Sequence, residues 1–147
     1  MGRPAYITDD DRLDLEGTYG KRPSKSLKRR LLVVDDNPEI RESLSLLLKL
    51  AGYDVIEAAD GAHALEELAA ERPDLVITDL RMPHVTGLDL IQRIRYSTEP
   101  YRRTPIVALS VHGPRELAAA AGAGADASVD KLADFDVLLG AIRRLLQ

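Results

Sequence analysis

The chain has 147 residues, of which 45% are hydrophobic, 30% are charged and none is cysteine. This length suits one domain with a hydrophobic core, and the lack of cysteine excludes a disulfide framework, a thiolate nucleophile and a cysteine-based zinc site. No apolar run approaches the roughly 20 residues of a membrane-spanning helix and no apolar secretory signal opens the chain, so a cytoplasmic location is the default expectation.

The net charge of −4 is unevenly distributed along the chain. Residues 1–30 carry 8 basic and 5 acidic side chains, whereas residues 31–147 carry 12 basic and 19 acidic ones. We predict a flexible N-terminal leader over residues 1–29 and a folded domain over residues 30–147. The acidic domain argues against nucleic acid as the main ligand, although the basic stretch over residues 21–30 leaves open a tether to nucleic acid or an acidic partner.

Beyond the leader, short apolar runs alternate with helical patterns. The runs predict five strands, at Leu31–Val34, Val55–Ala58, Leu75–Thr78, Ile106–Leu109 and Ala127–Val129. Such short unbroken runs are typical of strands that are buried on both faces. The segments after them predict five helices, the first opening at Asn37-Pro38 and closing at Gly52, and the others at Ala62–Glu71, Gly87–Tyr96, Pro114–Gly122 and Phe135–Leu146.

The regular alternation of strand and helix predicts an α/β fold. Parallel strands joined by right-handed crossovers form an open sheet with helices on both faces. In such sheets, ligands bind beyond the carboxyl ends of the strands. The ends of the predicted strands are therefore where candidate functional residues are to be sought.

Polar groups cluster at these strand ends. The candidates are Asp35 and Asp36 after strand 1, Asp79 after strand 3, Ser110 after strand 4 and Lys131 after strand 5. Each pair of close carboxylates repels by about 4 kcal/mol at an effective dielectric near 20, and a hard divalent cation such as Mg²⁺ offsets this best. The alternative is a set of ordinary helix caps and loop aspartates, which would explain one or two of these residues more readily than all five.

A carboxylate beside a metal, an ammonium and a hydroxyl has the parts of a phosphoryl acceptor. Asp79 is the candidate nucleophile that forms an aspartyl phosphate. The cation and Lys131 would neutralise charge on the phosphoryl oxygens. Ser110 would donate a hydrogen bond to one of those oxygens, which makes it a candidate switch.

Four segments carry a family resemblance. They are Leu31 to Asn37 (LLVVDDN), Pro73 to Pro83 (PDLVITDLRMP) followed by Gly87, Thr104 to Ser110 (TPIVALS), and Gly124 to Asp126 (GAD) leading to Lys131. In order and spacing they resemble the receiver domain of bacterial response regulators, a resemblance that covers about Leu31 to Leu146.

The resemblance implies a doubly wound, five-stranded parallel sheet of order 2-1-3-4-5, the flavodoxin-like receiver fold. It implies that Asp79 is phosphorylated by a histidine kinase or a phosphotransfer protein. It also implies that Mg²⁺ is held by Asp36, by Asp79 and by the backbone carbonyl of Arg81, with Asp35 acting through a metal-bound water. The expected function is that of a stand-alone receiver, not an enzyme in the ordinary sense, that signals by altered binding to a downstream protein; a phosphorelay intermediate is equally compatible.

The sequence also departs from the family pattern. Leu132 follows the site lysine where the family usually has a proline with a cis bond, so we predict a trans peptide and a rearranged loop. Ser128 aligns with the usual aromatic switch residue, and Val111 fills a place commonly taken by Ala or Gly. Arg81 and His112 flank the site, where they would position or block an attacking water.

The sequence has three other interpretations. The main alternative function is a receiver-like interaction module that never takes a phosphoryl group. The segment Gly122–Ala127 fits a dinucleotide fingerprint, but it lies between a helix and the following strand, the reverse of the required order. A haloacid-dehalogenase-type phosphatase needs a second acid two positions after its nucleophile, which Asn37 and Pro38 do not supply.

Overall fold

A computed structural model describes residues 27–147 of the chain. In chain order its elements are β1 (Arg30–Val34), α1 (Pro38–Leu50), β2 (Asp54–Ala58), α2 (Gly61–Glu71), β3 (Leu75–Asp79), α3 (Gly87–Tyr96), a 3-10 helix (Pro100–Arg103), β4 (Ile106–Ser110), α4 (Pro114–Ala123), β5 (Ala127–Asp130) and α5 (Phe135–Leu145). Apart from residues 27–29, the predicted leader lies outside the described residues, as does most of its basic stretch over residues 21–30.

The five strands form one parallel sheet in the order β2-β1-β3-β4-β5. This confirms the predicted fold class and strand order. The register brings the carboxyl ends of the central strands level with one another. Asp79 pairs with Leu109 across β3 and β4, and Ser110 pairs with Asp130 across β4 and β5.

The predicted strands agree with the observed ones to within one residue at each end. The last three strands extend one residue further than predicted, to Asp79, Ser110 and Asp130. The apolar runs stop before these polar side chains, but backbone pairing does not depend on side-chain polarity. The candidate residues Asp79 and Ser110 are thus held by the sheet itself.

Two hydrophobic cores lie on opposite faces of the sheet, because alternate strand residues point to opposite sides. The first core joins the sheet to α2, α3 and α4 through buried residues that include Leu32, Val76, Ile106, Leu68, Ile91, Ile94 and Ala120. The second joins it to α1 and α5 through buried residues that include Leu31, Ile77, Val107, Leu48, Leu138 and Ile142. The sheet is therefore the central layer of three.

Local signals set the ends of the first two helices. The Asn37 side chain accepts hydrogen bonds from the backbone N–H groups of Glu39 and Ile40, at 3.0 and 3.1 Å, and so caps α1 as predicted. Gly52, at φ +104°, follows α1 in the left-handed region, which glycine adopts at little cost. At α2 the Asp60 carboxylate accepts from the N–H of His63 at 2.8 Å.

The Arg95 side chain makes hydrogen bonds to the loops that lead into β4 and β5, at the amino edge of the sheet. Its Nε donates to the carbonyl of Gly124 at 2.9 Å, and one terminal nitrogen donates to the carbonyls of Thr104 and Arg102, each at 2.8 Å. The other terminal nitrogen binds Asp126 at 2.8 Å. These contacts fix the C-terminal end of α4 to α3, to the 3-10 helix and to the residue after it. The 3-10 helix was not predicted from the sequence.

Across residues 27–147, no helix combines the length and the apolar character that crossing a bilayer requires.

Candidate functional site

Three carboxylates meet at the carboxyl edge of the sheet. Asp35 and Asp36 follow β1, and Asp79 ends the neighbouring strand β3. Each offers a carboxylate oxygen, and these oxygens all lie within 4.8 Å of one another. Asp35 and Asp79 are 2% and 7% exposed, whereas Asp36 is open to solvent. The prediction from strand ends is confirmed here: Asp79 lies beside Asp35 and Asp36, although it is more than forty residues from them in sequence.

The turn that carries the first two acids is held by its own backbone and by one arginine. The N–H of Asn37 donates to Asp35 Oδ1 at 2.9 Å. A terminal nitrogen of Arg41 donates to the carbonyl of Asp35 at 2.8 Å, while Arg41 Nε binds Glu57 Oε1 on β2 at 3.0 Å. Arg41 was not predicted as a site residue, although Glu57, the one charged residue in the predicted strand Val55–Ala58, indicated that a basic partner lies nearby.

Lys131 lies among the acids. Its Nζ is 2.8 Å from Asp35 Oδ2 and 3.3 Å from Asp79 Oδ1, and its backbone N–H donates to the carbonyl of Ser110 at 2.9 Å. Burial by itself lowers the pKa of Lys131, but the hydrogen bonds and the attraction of the two carboxylates outweigh it and raise the pKa above 10.5. Lys131 is therefore a permanent cation at neutral pH.

Asp79 has the opposite balance. Burial raises its pKa above the usual 3.8, and the charge of Asp35 adds to the rise. The attraction of Lys131 and hydrogen bonds from Lys131 and the backbone of Arg81 oppose this rise but do not cancel it. The carboxylate of Asp79 is thus held in an environment that disfavours its negative charge and favours whatever neutralises it.

The donor set fits a hard divalent cation. Carboxylate oxygens are the ligands that Mg²⁺ prefers, and one lysine compensates only one of the three negative charges gathered here. The exposure of Asp36 leaves one side of the cluster open to water or to a substrate oxygen. The acidic cluster can therefore bind a metal ion.

Gly87 closes the base of the site. A Cβ atom at this position would lie 2.2 Å from the backbone oxygen of Asp79 and 2.5 Å from the Cα of Leu80. No side chain fits within such distances, so only glycine lets α3 begin this close to the end of β3. The N–H of Gly87 uses the proximity and donates to the carbonyl of Leu80 at 3.1 Å.

The Ser110 hydroxyl is buried at the end of β4 and is already engaged. It donates to Glu116 Oε1 on the first turn of α4 and accepts from the N–H of His112 at 3.0 Å. The other oxygen of Glu116 binds Arg81 Nε at 2.7 Å. Burial by itself raises the pKa of Glu116, but the bonds from Ser110 and Arg81 outweigh it and lower the pKa.

Glu116 was not predicted as a site residue. Acidic residues are common in the first turn of a helix because the helix dipole favours them. Nothing in the sequence distinguishes this one from an ordinary case, since its two partners lie on other elements.

The residues that depart from the family pattern lie around the end of β5 and the loop after β4. No cis peptide occurs among the described residues, so the bond to Leu132 is trans, as predicted. The N–H of Leu132 donates to Asp130 at 2.8 Å and its side chain is 82% exposed. Ser128 Oγ donates to the carbonyl of Leu117 at 3.3 Å and so links β5 to α4. Val111 and His112 are both exposed.

Comparison with known families gives a match over nearly all of the folded domain. The model of the response regulator receiver domain matches residues 31–143. That range contains every site residue described above.

Two curated relatives show where such domains occur. The chain is 39% identical over 116 residues to the CAI-1 autoinducer sensor kinase/phosphatase CqsS of Vibrio cholerae, covering 78% of this chain and 17% of CqsS. It is 38% identical over 119 residues to the response regulator MprA of Mycolicibacterium vanbaalenii, covering 80% of this chain and 50% of MprA. The chain therefore spans half or less of the length of these relatives.

Solved structures of similar size agree in fold. The chemotaxis response regulator CheY4 of Vibrio cholerae matches with a TM-score of 0.74 and 33% identity, covering 81% of this chain and 99% of CheY4. The response regulator TrrA of Thermotoga maritima, solved in complex with Mg²⁺-BeF, matches with a TM-score of 0.72 and 35% identity, covering 80% of this chain and 99% of TrrA. The expected family and fold are confirmed: the chain belongs to the response regulator receiver domain family of two-component systems.

Proposed function

We propose that this receiver accepts a phosphoryl group on Asp79 and signals through altered binding to another protein. One observation carries the proposal. The buried Asp79 carboxylate lies 3.3 Å from the Lys131 ammonium, in a cluster with two further carboxylates at the carboxyl edge of the sheet. A carboxylate beside a lysine, in an acidic cluster that can hold a divalent cation, has the nucleophile and the charge compensation that receiving a phosphoryl group requires.

In the proposed reaction a carboxylate oxygen of Asp79 attacks the phosphorus of a phosphohistidine on a histidine kinase or a phosphotransfer protein. The new O–P bond forms as the P–N bond breaks, and the electron pair of the broken bond returns to the donor's histidine nitrogen. Lys131 stabilises the transferred group by its positive charge, which the pKa of the ammonium guarantees at neutral pH. Ser110 donates to one phosphoryl oxygen after transfer.

The proposed metal is Mg²⁺. Asp36, Asp79 and the backbone carbonyl of Arg81 would hold it directly, and Asp35 would act through a bound water. When bound, Mg²⁺ neutralises charge on the phosphoryl oxygens and so lowers the barrier to transfer. The chemistry of the acidic cluster supports this choice, as does the Mg²⁺-BeF complex of the relative TrrA.

The domain boundaries and the wider partnership stay predictions. They comprise the leader over residues 1–29, the receiver over 30–147, a stand-alone mode of action, a cytoplasmic location and a downstream protein target.

Intact mass measurement after incubation with acetyl phosphate and Mg²⁺ tests the phosphoacceptor. We expect the wild type to gain one phosphoryl group and Asp79→Asn to gain none, because an amide is not a competent nucleophile here. Asp54→Asn, at the opposite edge of the sheet, is the matched control and should be phosphorylated like the wild type. A phosphoryl group that persists in Asp79→Asn would contradict the assignment.

A further inference from the structure

Glu116 holds the same hydroxyl that a phosphoryl group on Asp79 would need. Its side chain is 13% exposed, and its two oxygens bind two different elements. One accepts from Ser110 at the end of β4, and the other pairs with Arg81 in the β3–α3 loop. Both partners belong to the segments that surround Asp79.

A serine hydroxyl carries one proton and can donate it to one strong acceptor at a time. In this structure the Ser110 proton is directed to Glu116, while the N–H of His112 occupies a lone pair of the same oxygen. A hydrogen bond from Ser110 to a phosphoryl oxygen therefore requires that the bond to Glu116 breaks. The two acceptors are mutually exclusive.

We infer that Glu116 is an internal competitor that holds Ser110 in the unphosphorylated arrangement and is displaced when Asp79 is phosphorylated. The inference rests on the proposed function and adds to it a residue that sets the position of the switch. The Glu116 carboxylate imitates the incoming phosphoryl group in charge and in its oxygen acceptors. The new negative charge on Asp79 would repel Glu116 at the same time as it captures its hydrogen-bond donor.

The ordinary explanation for Glu116 is stabilisation of the α4 N-terminus by the helix dipole. The two explanations differ in what a neutral replacement does to the active state. A dipole role predicts a small loss of stability and no change in affinity for a phosphoryl group. Competition predicts a gain in that affinity, and the gain must depend on the Ser110 hydroxyl.

The test measures beryllofluoride affinity in the presence of Mg²⁺, by calorimetry, on the full chain. We expect Glu116→Gln and Glu116→Ala to bind about tenfold more tightly than the wild type, the size expected when one charge-assisted hydrogen bond no longer has to be broken. Glu66→Gln makes the same chemical change at an exposed position on α2 and should leave the affinity unchanged. In a Ser110→Ala background, the gain from Glu116→Gln should fall to the small part that removal of charge repulsion contributes.

The outcomes separate this inference from the function on which it rests. If the wild type binds no beryllofluoride, the proposed phosphoacceptor fails and the inference fails with it. If the wild type binds and neither Glu116 variant binds more tightly, the competition is wrong while the phosphoacceptor stands. A gain that persists in full in the Ser110→Ala background also overturns the competition. Thermal unfolding of each variant establishes that it is folded under the conditions of the measurement.

Discussion

At the scale of single residues, the negative charge of Asp79 is unfavourable in the folded protein. Burial and the neighbouring Asp35 raise the pKa of Asp79 despite the attraction of Lys131. An acid whose folded-state pKa is raised binds its proton more tightly in the folded protein than in the unfolded chain. The ionised form of Asp79 therefore lowers the stability of the fold, and a bound metal ion would remove part of that cost.

The neutral variant Asp79→Asn should consequently be more stable than the wild type when no divalent metal is present. We expect a gain of about 1 kcal/mol in the free energy of unfolding at neutral pH. The gain should be complete above the folded-state pKa of Asp79 and should shrink as the pH falls toward 3.8, where the wild-type carboxyl is itself protonated.

Urea unfolding across this pH range, with a chelator present, measures the difference. Asp54→Asn serves as the control at the distant edge of the sheet. A difference that stays constant with pH, or a less stable Asp79→Asn protein at neutral pH, would contradict the electrostatic account.

At the scale of elements, the strand-end rule explains why much of the site was predictable. Strands that are buried on both faces have sequences that are short apolar runs. The polar residues that follow such strands must lie at the same edge of a parallel sheet. Asp35, Asp79 and Ser110 could be placed in this way from the sequence alone. The cap at Asn37 was predictable as well, because it depends on residues adjacent to it in the chain.

What escaped prediction depends on contacts between distant segments. Glu116 binds Ser110 and Arg81. Arg95 makes hydrogen bonds to four residues that come close to it only in the folded protein. The 3-10 helix over Pro100–Arg103 is a single four-residue turn, which is too short to produce a periodic pattern. No property of these residues by themselves distinguishes them from ordinary surface positions.

Gly87 shows how closely β3 and α3 must approach. We expect Gly87→Ala to destabilise the fold by roughly 3 kcal/mol, because the new Cβ would overlap the backbone at Asp79 and force the strand and the helix apart. The same displacement should weaken acetyl phosphate labelling of Asp79.

Gly122→Ala is the matched control for this substitution. It lies within α4, where a Cβ meets nothing within 4 Å, so alanine should be neutral or stabilise the helix by up to about 1 kcal/mol. Urea unfolding measures both variants. Equal stability of the two would show that the overlap at Gly87 is relieved without cost.

At the scale of the whole molecule, the candidate metal site joins two strands of the central layer. Asp35 and Asp36 extend from β1, and Asp79 ends β3. An ion bound among them binds the folded protein and not the unfolded chain, in which these residues are far apart. Binding should therefore stabilise the entire domain through linkage.

A Mg²⁺ concentration about ten times its dissociation constant should raise the free energy of unfolding by about 1.4 kcal/mol. This corresponds to a rise of roughly 6 °C in Tm for a domain of this size. Asp36→Asn should abolish the response, because it removes a direct ligand, whereas Asp54→Asn should keep it. Differential scanning calorimetry over a Mg²⁺ titration measures the effect. Negligible stabilisation of the wild type at millimolar Mg²⁺ would favour the interaction module over the phosphoacceptor.

The contacts of Arg95 give α4 two unequal ends. The C-terminal end is fixed through the carbonyl of Gly124 and the carboxylate of Asp126, far from the acidic cluster. The N-terminal end is tied to Ser110 and Arg81 through Glu116. If phosphorylation displaces Glu116 as inferred above, the N-terminal end of α4 is released while the C-terminal end stays fixed. We then expect the helix to pivot about its C-terminal end, so that the displacement is largest at the end nearest the acidic cluster.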